Sequence, residues 1–504
     1  MFGKLLHLSG VFSRTESKTT AIRRALSWIT PVIIISLIIP LNMGYNGISS
    51  CIVTFVTLYL SRKNPLTFYF SCTALLCLSL YIPVGYSFGK ISYAYVVSAL
   101  QTNSGEFLEF LRGTSLNAWL LTSSAILAIY LFARNGQDFD KKYRTIYLIA
   151  FILINLNAWP KRMLTATAAY AQQANSALAG LEQNSNVPDN FQIISNHKKY
   201  KNVVVVIGES VARDYLSVYG YPHNTTPWLN TAPGYFYTHY ISAAPNTFLS
   251  LSRTLTISDG VKTEEYNSIV ALAKKAGFST HWISNQGFLG EYDTPATVIA
   301  SKAQHKVFFK KGDYNTNSTD DMALLGELQR VVKNNDNAHN AVFLHMIGSH
   351  PDTCSRLNDF PVNFNISHQQ KLNCYLATLQ KLDAFLEHAH QILEQRGESY
   401  ALIYFSDHGM TVDESERPVR HGADARQNFN IPLFLFTSDT KKHITDDTPI
   451  SARKFMSLFE WIAGFDSDKV PALSPGEAAE RDITVFNGEH LVPYDELKEN
   501  AIVQ

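Results

Sequence analysis

Carboxylate and imidazole side chains come directly after several short apolar runs in the second half of the chain. Glutamate, aspartate and histidine are ligands that zinc and manganese take in proteins. If the apolar runs are strands of one sheet, the sequence predicts a divalent-metal site at the edge where those strands end. The candidate residues are Glu209, His350, Asp407, His408 and His421.

Each candidate also has an ordinary interpretation when it is considered alone. An acidic residue such as Glu209 is common in the first turn of a helix, where it interacts favourably with the helix dipole. Asp407 and Gly409 are both typical of turns, and isolated histidines are often ordinary surface residues. Because all the candidates follow independently predicted strands, their shared position favours the metal site.

A hydroxyl-rich segment, residues 242–256, offers a nucleophile for a site of this kind. It reads SAAPNTFLSLSRTLT, and a helix is predicted to begin near Thr247. The hydroxyls here either cap that helix or supply the nucleophile, and the spacing does not separate the two interpretations. A helix N-terminus suits both, since its free N–H groups and its dipole attract phosphate.

Short β-branched runs alternate with helical patterns after residue 200. The helical stretch 372–393, for example, carries leucines along one side. Strands that alternate with helices predict an α/β domain with a mostly parallel sheet, in which ligands bind beyond the carboxyl ends of the strands. The predicted strands are 202–207, 279–284, 341–346, 401–405 and 431–437.

Five apolar segments precede residue 161, and few charges lie within them. A helix that spans a membrane needs about 20 apolar residues. The first, third and fourth segments meet this length, and the second and fifth are short. We therefore predict an N-terminal α-helical domain of five transmembrane helices over residues 1–160. The segments are 25–43, 45–60, 66–86, 116–132 and 146–159.

The basic residues predict the orientation of these spans. Lysine and arginine lie mostly before the first segment, between the second and third, and between the fourth and fifth. The positive-inside rule therefore places the N-terminus in the cytoplasm, and an odd number of spans places the remainder outside. A bridging helix and linker are predicted over 161–200, and a catalytic domain over 201–504. The aromatic loop 87–115 is either an interfacial lipid guide or a simple connection.

Composition excludes some classes of protein. The 504 residues carry no net formal charge, which argues against nucleic-acid binding. Five cysteines are too few for a disulfide scaffold, and three of them lie in apolar runs, where they are predicted to be packing residues. Cys354 and Cys374 are able to pair if this part of the chain lies in an oxidising compartment.

The segments VVVIGESVARDYLSVYGYPHNTTPWL, HMIGSH, YFSDHGM and RHG resemble the phosphoethanolamine transferases of Gram-negative inner membranes. Those enzymes belong to the alkaline phosphatase/sulfatase superfamily. The resemblance covers nearly the whole chain, and it implies five spans, a bridging helix and a periplasmic catalytic domain. It also implies that phosphoethanolamine moves from phosphatidylethanolamine to a lipopolysaccharide acceptor through a covalent phospho-threonine intermediate.

Site roles carry over from the resemblance residue by residue. Thr247 matches the nucleophile, which also contacts the zinc. His350 and His421 match histidines that handle the phosphoryl group or bind a second zinc. Asn285 matches a substrate-binding residue, and His345 is a weaker match. The implied metal ligands are Glu209, Thr247, Asp407 and His408.

The chain departs from the members that modify lipid A at three positions. Ala244 and Thr254 stand where those members carry cysteines, and Met410 stands where they carry an acid. These differences resemble members that act on lipopolysaccharide core sugars or periplasmic glucans, so an inner core sugar is favoured over lipid A. One zinc site is implied, a second stays open, and manganese is less favoured.

The resemblance also implies a disulfide bond, and two alternative functions remain to be compared with it. It implies a disulfide between Cys354 and Cys374, because the family uses periplasmic disulfides, and it implies a monomer. One alternative on the same scaffold is a glycerophosphate transferase similar to lipoteichoic acid synthase. Another is a membrane-tethered module with a structural metal, but structural zinc sites are usually closed by four side chains, commonly cysteine and histidine.

Overall fold

The computed structural model of the protein describes residues 18–102, 104–288, 294–311, 319–334, 338–414, 418–422, 424–473 and 482–504. The chain divides into two compact units. The first unit is formed by Met1–Ile91 and Thr114–Ala168, and the second by Ser92–Gly113 and Ala169–Gln504. Two helices from within residues 1–160 belong to the second unit, and the predicted domain bounds stay a prediction.

The described helices follow the chain in this order: α1 (Lys18–Asn42), α2 (Ile48–Ser61), α3 (Pro65–Phe88), α4 (Tyr93–Gln101), α5 (Ser104–Gly113), α6 (Leu116–Asn135), α7 (Arg144–Asn155), α8 (Trp159–Ser185), α9 (Thr247–Leu255), α10 (Ile269–Lys275), α11 (Pro295–Ser301), α12 (Ala323–Asn334), α13 (Gln370–Arg396) and α14 (Phe455–Ala463).

The described strands are β1 (Ile193–Asn196), β2 (Asn202–Gly208), β3 (Gly234–Ile241), β4 (Thr256–Ser258), β5 (Thr263–Ser268), β6 (Ser279–Phe288), β7 (His305–Lys311), β8 (Asn340–His345), β9 (Tyr400–Ser406), β10 (Thr411–Val412), β11 (Val419–Arg420), β12 (Asn430–Thr437), β13 (His443–Asp446), β14 (Ile450–Ser451), β15 (Phe465–Ser467), β16 (Thr484–Phe486) and β17 (Leu491–Pro493).

The first unit is built from apolar helices. Within the described residues, three helical segments are long and apolar enough to cross a membrane: Ile22–Asn42, Pro65–Phe88 and Leu116–Asn135. The shorter apolar helices α2 and α7 lie where the second and fifth spans are predicted. A count of five spans therefore stays a prediction, and three candidate spans are what length and composition support.

Two polar side chains inside the first unit donate to hydroxyls of neighbouring helices. The indole N–H of Trp159 donates to the Thr54 hydroxyl at 2.9 Å, and the Asn155 amide donates to the Thr57 hydroxyl at 3.1 Å. In a hydrocarbon environment such groups are costly unless they pair within the protein. These contacts therefore suit helices that lie within a bilayer.

The large sheet of the second unit has the strand order β13-β3-β12-β9-β2-β8-β6-β7, and β14 also pairs with β3. The strands from β9 to β7 in this order run parallel to one another. However, β12 runs antiparallel to both β9 and β3. The sheet is therefore mixed, whereas a mostly parallel sheet is expected from the sequence.

The direction of β12 follows from the connection that precedes it. A parallel connection needs a crossover of a dozen or more residues, usually a helix. Between β9 and β12 the described residues form only the hairpin β10–β11 and a single short helical turn. Without a crossover helix the chain returns in the opposite direction.

Strand β2 lies inside the sheet, between β8 and β9, and its burial explains its run of valines. All of its residues are buried, because β8 and β9 flank it and helices cover both faces. Val203 and Val205 point into a core that contains α10 and α14. Val204 points into the opposite core, with α12 and α13. A strand buried on both faces is expected to be a nearly continuous apolar run, as this one is.

The segment Ser92–Gly113 forms two helices rather than an irregular loop, and it packs within the second unit. Tyr93 and Val97 of α4 share a buried cluster with Leu249 of α9 and with Phe486. At the other end of the segment, the Lys371 ammonium donates to the Gly113 carbonyl at 3.4 Å. The prediction that this segment guides lipid stays a prediction.

Candidate active site

Glu209 leaves the carboxyl end of β2 and is 1% exposed. The next residue, Ser210, has a φ of 63°, a conformation that residues other than glycine seldom adopt. Its hydroxyl donates to Glu209 Oε1 at 2.7 Å. Strain of this kind persists only where the surroundings impose it, and it is typical of functional sites.

A close approach of two loops fixes the backbone beside Glu209. Gly348 has a φ of +49°, and a Cβ atom there would lie 2.7 Å from the Glu209 carbonyl oxygen. The N–H of the following residue, Ser349, donates to that same oxygen at 3.0 Å. Only glycine fits at position 348 without displacing the backbone of the candidate ligand.

Asp407 leaves the neighbouring strand β9 at the same edge, because Gly208 and Ser406 pair directly. Its Oδ1 atom accepts hydrogen bonds from the backbone N–H groups of Ser210 at 3.1 Å and His408 at 2.7 Å. Its Oδ2 atom is buried and has no hydrogen-bond partner. An orphaned carboxylate oxygen is a costly arrangement unless a cation binds it.

His408 is fully buried, and its ring is oriented by the backbone. Nδ1 lies 2.7 Å from the Gly409 carbonyl oxygen, so Nδ1 carries the proton and donates it there. Nε2 is then directed towards the two carboxylates, at 3.2 Å from Glu209 Oε1 and 3.5 Å from Asp407 Oδ2, and its lone pair binds a cation once the proton on Nε2 is displaced. Metal-binding histidines are commonly oriented in this way.

Together Glu209, Asp407 and His408 offer three ligand atoms that all lie within 4.8 Å of one another. Burial, together with the charge of Glu209, raises the pKa of Asp407 to about 8. Burial alone would raise the pKa of Glu209 and lower that of His408. The attraction of opposite charges reverses both effects: His408 holds the pKa of Glu209 low, and Asp407 together with Glu209 raises the pKa of His408 to about 9. Two buried carboxylates and one imidazole fit a divalent cation, which would compensate this charge.

Thr247 is the first residue of α9, and its hydroxyl is not the helix cap. The cap is Asn246, whose side chain accepts the N–H of Leu249 at 3.0 Å. The Thr247 hydroxyl is therefore available, and it donates to Glu209 Oε2 at 2.9 Å and lies 3.4 Å from His408 Nε2. Of the two interpretations of this segment, the geometry favours a reactive hydroxyl at a helix N-terminus.

Helix α9 is fastened to the loop that carries Asp407. The hydroxyls of Ser242 and Ser250 each donate to the Asp407 carbonyl oxygen at 2.6 Å. Ser250 lies almost one turn beyond Thr247 on the same helix. These bonds fix the distance between the hydroxyl and the ligand cluster.

Two further histidines line the same site. The ring of His421 lies 4.9 Å from that of His408 and 6.2 Å from that of His350. Burial, together with the charges of His408 and His350, lowers the pKa of His421 to about 3, and its Nδ1 atom is buried without a partner. His350 Nδ1 lies 2.7 Å from the Pro351 carbonyl oxygen, so its Nε2 is the atom available for other contacts.

Asn285 and His345 are near this site but are engaged within the protein. Asn285 is fully buried, and its amide donates to the Thr319 carbonyl at 2.8 Å and to Asp321 Oδ1 at 2.7 Å. His345 Nδ1 lies 3.2 Å from the Ser284 hydroxyl, and burial lowers the pKa of His345 to about 4. A substrate-binding role for either residue stays a prediction.

Three residues that the sequence prediction omits support the site. Gln286 donates to Glu209 Oε2 at 3.0 Å, and Ser210 donates to its other oxygen. Asp321 accepts the backbone N–H groups of Ile347 at 3.0 Å and Gly348 at 2.8 Å. Gln286 follows a predicted strand directly after Asn285, so its position was a usable signal, whereas nothing in the sequence marks Asp321.

A disulfide links the segment after His350 to helix α13. Cys354 and Cys374 are bonded, with their Cα atoms 4.9 Å apart, which confirms the predicted pair. Cys374 is buried within α13. The bond therefore ties the loop that carries His350 to the core.

A buried carboxylate–imidazole cluster, with a hydroxyl at a helix N-terminus beside it, is the arrangement of a group-transfer site that suits a metal, here on an α/β scaffold. The sulfatase family model matches residues 201–464, more than half of the chain. A protein of Haemophilus influenzae named "Putative phosphoethanolamine transferase" is 31% identical over 379 residues, which cover 72% of this chain and 78% of that protein. The chain belongs to the sulfatase family of the alkaline phosphatase superfamily, and within it to the phosphoethanolamine transferases.

Two solved structures share the fold. The integral membrane lipooligosaccharide phosphoethanolamine transferase A of Neisseria meningitidis has a TM-score of 0.59 at 16% identity, and the match covers 91% of this chain and 98% of that one. The periplasmic domain of the Escherichia coli enzyme EptC, in complex with zinc, has a TM-score of 0.53 at 22% identity. That match covers 62% of this chain and 97% of the EptC chain. N-terminal apolar helices followed by a sulfatase-like α/β domain are thus confirmed.

Proposed function

We propose that the enzyme transfers phosphoethanolamine from phosphatidylethanolamine to a lipopolysaccharide acceptor through a covalent intermediate on Thr247. The observation that carries this proposal is the hydrogen bond from Thr247 to Glu209 Oε2 at 2.9 Å. It places a hydroxyl against a buried set of metal ligands, which is what an activated nucleophile requires. Membership of the phosphoethanolamine transferases supports the identity of the transferred group.

The ligand set supports a single zinc ion, held by Glu209, Asp407, His408 and Thr247. The orphaned Oδ2 of Asp407 and the oriented Nε2 of His408 are the observations that fit it. When bound, zinc would lower the pKa of a coordinated hydroxyl and polarise a phosphoryl oxygen. A second zinc beside His350 and His421 stays open, and manganese is less favoured by a site that includes imidazole.

The first step is a displacement at phosphorus. A bond forms between Thr247 Oγ1 and the phosphorus of phosphatidylethanolamine, and the bond from phosphorus to the glycerol oxygen breaks. The Thr247 hydroxyl gives up its proton, and diacylglycerol leaves with a proton taken up on its oxygen. The ring of His421 lies beside that of His408, and the ring of His350 lies beside that of His421. Both histidines are suited to bind the phosphoryl oxygens or to carry that proton.

In the second step the acceptor hydroxyl attacks the same phosphorus and gives up its proton, the bond from phosphorus to Thr247 Oγ1 breaks, and Thr247 takes up a proton. We favour an inner core sugar of lipopolysaccharide over lipid A, because Ala244 and Thr254 replace the cysteines of the lipid A enzymes. A periplasmic glucan is the alternative acceptor for the same chemistry. Transfer of glycerophosphate is the alternative for the donor.

The first unit, with its apolar helices, has a role in this proposed reaction. A lipid donor keeps its phosphate at the bilayer surface, so an enzyme tethered there meets it at a high effective concentration. We propose an inner-membrane protein with a cytoplasmic N-terminus, five spans and a periplasmic catalytic domain. We propose that it acts as a monomer.

Intact-mass analysis of the full-length protein in detergent tests this function. After incubation with phosphatidylethanolamine, the wild type should gain the mass of one phosphoethanolamine group, and Thr247→Ala should gain none. Thr254→Ala is the matched control, since its hydroxyl lies on the same helix, is buried and has no partner. An adduct that persists in Thr247→Ala would sink the assignment. A glycerophosphate mass would support the alternative donor.

A further inference from the structure

The two carboxylate oxygens of Glu209 each receive a hydrogen bond from a neutral side chain. Oε1 accepts the Ser210 hydroxyl at 2.7 Å. Oε2 accepts the Gln286 amide at 3.0 Å, in addition to the Thr247 hydroxyl at 2.9 Å. Gln286 and Thr247 therefore converge on one oxygen atom, and the orientation of that oxygen fixes the position of the nucleophile.

Gln286 is itself held in place by the sheet. Its side-chain amide also donates to the Met346 carbonyl at 2.9 Å, and its backbone N–H donates to the Ser284 hydroxyl at 3.1 Å. Ser284 in turn lies against the buried His345. Both N–H bonds of the Gln286 amide are therefore used: one donates to the Met346 carbonyl, just after β8, and the other donates to Glu209.

An irregularity in β6 brings Gln286 to this place. The register of β6 against β7 shifts between Ser284 and Gly287. Extra residues of this kind bend a strand and redirect a side chain, and they are frequent beside active sites. In a regular strand Asn285 and Gln286 would point to opposite faces. Here both turn into the polar edge, where Asn285 binds Asp321 and Gln286 binds Glu209.

We propose that Gln286 is a positioning residue that sets the metal affinity of this site through Glu209. It holds Oε2 in one orientation before the cation arrives, which lowers the ordering cost of binding. Removal of a group that hydrogen-bonds to a metal ligand commonly weakens metal binding by roughly 10–100-fold. This inference rests on the proposed metal site, but not on the identity of the transferred group.

The amide suits this position better than a carboxylate or an apolar side chain. Gln286→Leu keeps the approximate size and removes the donor. Gln286→Glu keeps the shape but places a second carboxylate against Glu209 Oε2, which favours protonation of one of them over metal binding. The two variants therefore weaken binding for different reasons.

A competition titration with a chromogenic zinc chelator measures the effect. The full-length protein in detergent is stripped of metal and titrated with zinc alone at a fixed pH. We expect Gln286→Leu to bind zinc about 10–100-fold more weakly than the wild type. Gln304→Leu is the matched control and should bind as the wild type does, because Gln304 contacts Thr280 and lies outside the cluster. An affinity of Gln286→Leu within about twofold of the wild type would overturn the proposal.

Two further readouts separate positioning from a general loss of structure. The metal-free melting temperature of Gln286→Leu should match that of Gln304→Leu, while the rise in melting temperature on adding zinc should be smaller. Excess zinc should restore most of the turnover number, since Gln286 does not touch the reacting atoms. If Gln286→Leu does not fold, the isosteric Gln286→Glu takes its place, and wild-type zinc affinity there would equally refute the proposal.

The outcomes of these experiments distinguish a failure of this inference from a failure of the proposed function. A wild type that binds zinc, but forms no phosphoethanolamine adduct on Thr247, would remove the function and leave the role of Gln286 standing if Gln286→Leu binds weakly. A wild type that forms the adduct, with Gln286→Leu binding zinc equally well, would remove only the inference. A wild type that binds no zinc would remove both the metal site and the inference.

Discussion

Thr247 and Glu209 are 38 residues apart in the chain, yet the hydroxyl of one donates to the carboxylate of the other at 2.9 Å. Thr247 is half-buried at the first position of α9, whereas Glu209 is 1% exposed at the end of β2. The Thr247 hydroxyl is therefore the group that a substrate is able to reach, whereas Glu209, Asp407 and His408 are buried. This relationship is what the proposed chemistry depends on.

Glu209→Gln should keep the fold and lose metal and activity. The substitution removes the negative charge that binds the cation, while the side chain keeps its size. We expect turnover to fall at least about 100-fold, in line with the loss of other metal-site groups. Metal content by mass spectrometry, activity and the melting temperature check this prediction.

The control for that substitution is Glu489→Gln, which changes an exposed carboxylate far along the chain. It should retain zinc and activity. Zinc retained at wild-type stoichiometry in Glu209→Gln would return Glu209 to the ordinary interpretation of an acid at the start of a helix.

Gly348→Ala tests the close approach of the His350 loop to Glu209. The added Cβ would meet the Glu209 carbonyl oxygen at 2.7 Å, so one of the two loops must move. Gly397→Ala is the matched control, because Gly397 also has a positive φ, +74°, but nothing lies within 4 Å of its Cβ position. Gly397→Ala should cost about 1–2 kcal/mol from backbone strain alone.

We expect Gly348→Ala to cost a further 1–3 kcal/mol, roughly, from overpacking, and to weaken zinc binding, which Gly397→Ala leaves unchanged. Melting temperatures and chelator competition measure the two effects. Equal behaviour of the two variants would mean that the contact between Gly348 and Glu209 is unimportant.

Much of the candidate site is predictable from the sequence, because one geometric rule carries it. The carboxyl ends of adjacent parallel strands meet at one edge, and Glu209 and Asp407 follow strands that pair directly. The structure accordingly brings Glu209, Asp407 and His408 together. The roles of these residues in metal binding and catalysis stay predictions.

Other parts were beyond sequence reasoning for identifiable reasons. The direction of β12 depends on a connection without a crossover helix, which the pattern of β12 itself does not encode. The position of Gln286 after a predicted strand is visible in the sequence, but its contact with Glu209 depends on a shift of register that no periodicity shows. The docking of α4 depends on tertiary contacts between Tyr93 and Leu249, since an amphipathic helix does not specify its partner.

Removal of the disulfide should destabilise the enzyme. Cys354 and Cys374 close a loop with a sequence separation of 20 residues, and a loop of this size contributes about 3 kcal/mol by restricting the unfolded chain. The double variant Cys354→Ser, Cys374→Ser should melt at a lower temperature than the wild type and should not respond to a reducing agent. The wild type should lose stability when reduced.

Cys77→Ser serves as the control for that experiment, because Cys77 is a free, exposed cysteine in α3. It should melt as the wild type does and respond to reduction as the wild type does. The segment after His350 is tied by this bond, so we also expect reduced activity in the double variant. An unchanged melting temperature would contradict the stabilising role.

His281 should make the catalytic unit sensitive to acid. Burial, followed by the charges of His305 and Arg330, lowers the pKa of His281 to about 4 from an ordinary value of 6.5. The ring is 8% exposed and is stacked on His305 at 4.6 Å. Protonation of this ring in the folded state is therefore unfavourable.

The sign of the effect follows from proton binding. Between pH 6.5 and about 4 the unfolded chain binds a proton at His281 and the folded chain does not, so folding loses stability as the pH falls. The stability that depends on the unprotonated His281 ring is fully present above pH 6.5. The shift in the pKa of His281 corresponds to about 3 kcal/mol. His281→Phe keeps an aromatic ring and removes the titration, so it should lose less melting temperature between pH 7 and pH 5 than the wild type.

The comparison uses the metal-free protein, because metal binding releases protons and would add its own pH dependence to the stability of both proteins. His388→Phe is the control: His388 lies on α13 and is exposed, so its replacement should leave the pH dependence of the wild type unchanged. A difference in melting temperature between the wild type and His281→Phe that is constant from pH 7 to pH 5 would show that His281 titrates alike in the folded and unfolded chain. The stacked pair would then have no part in acid sensitivity.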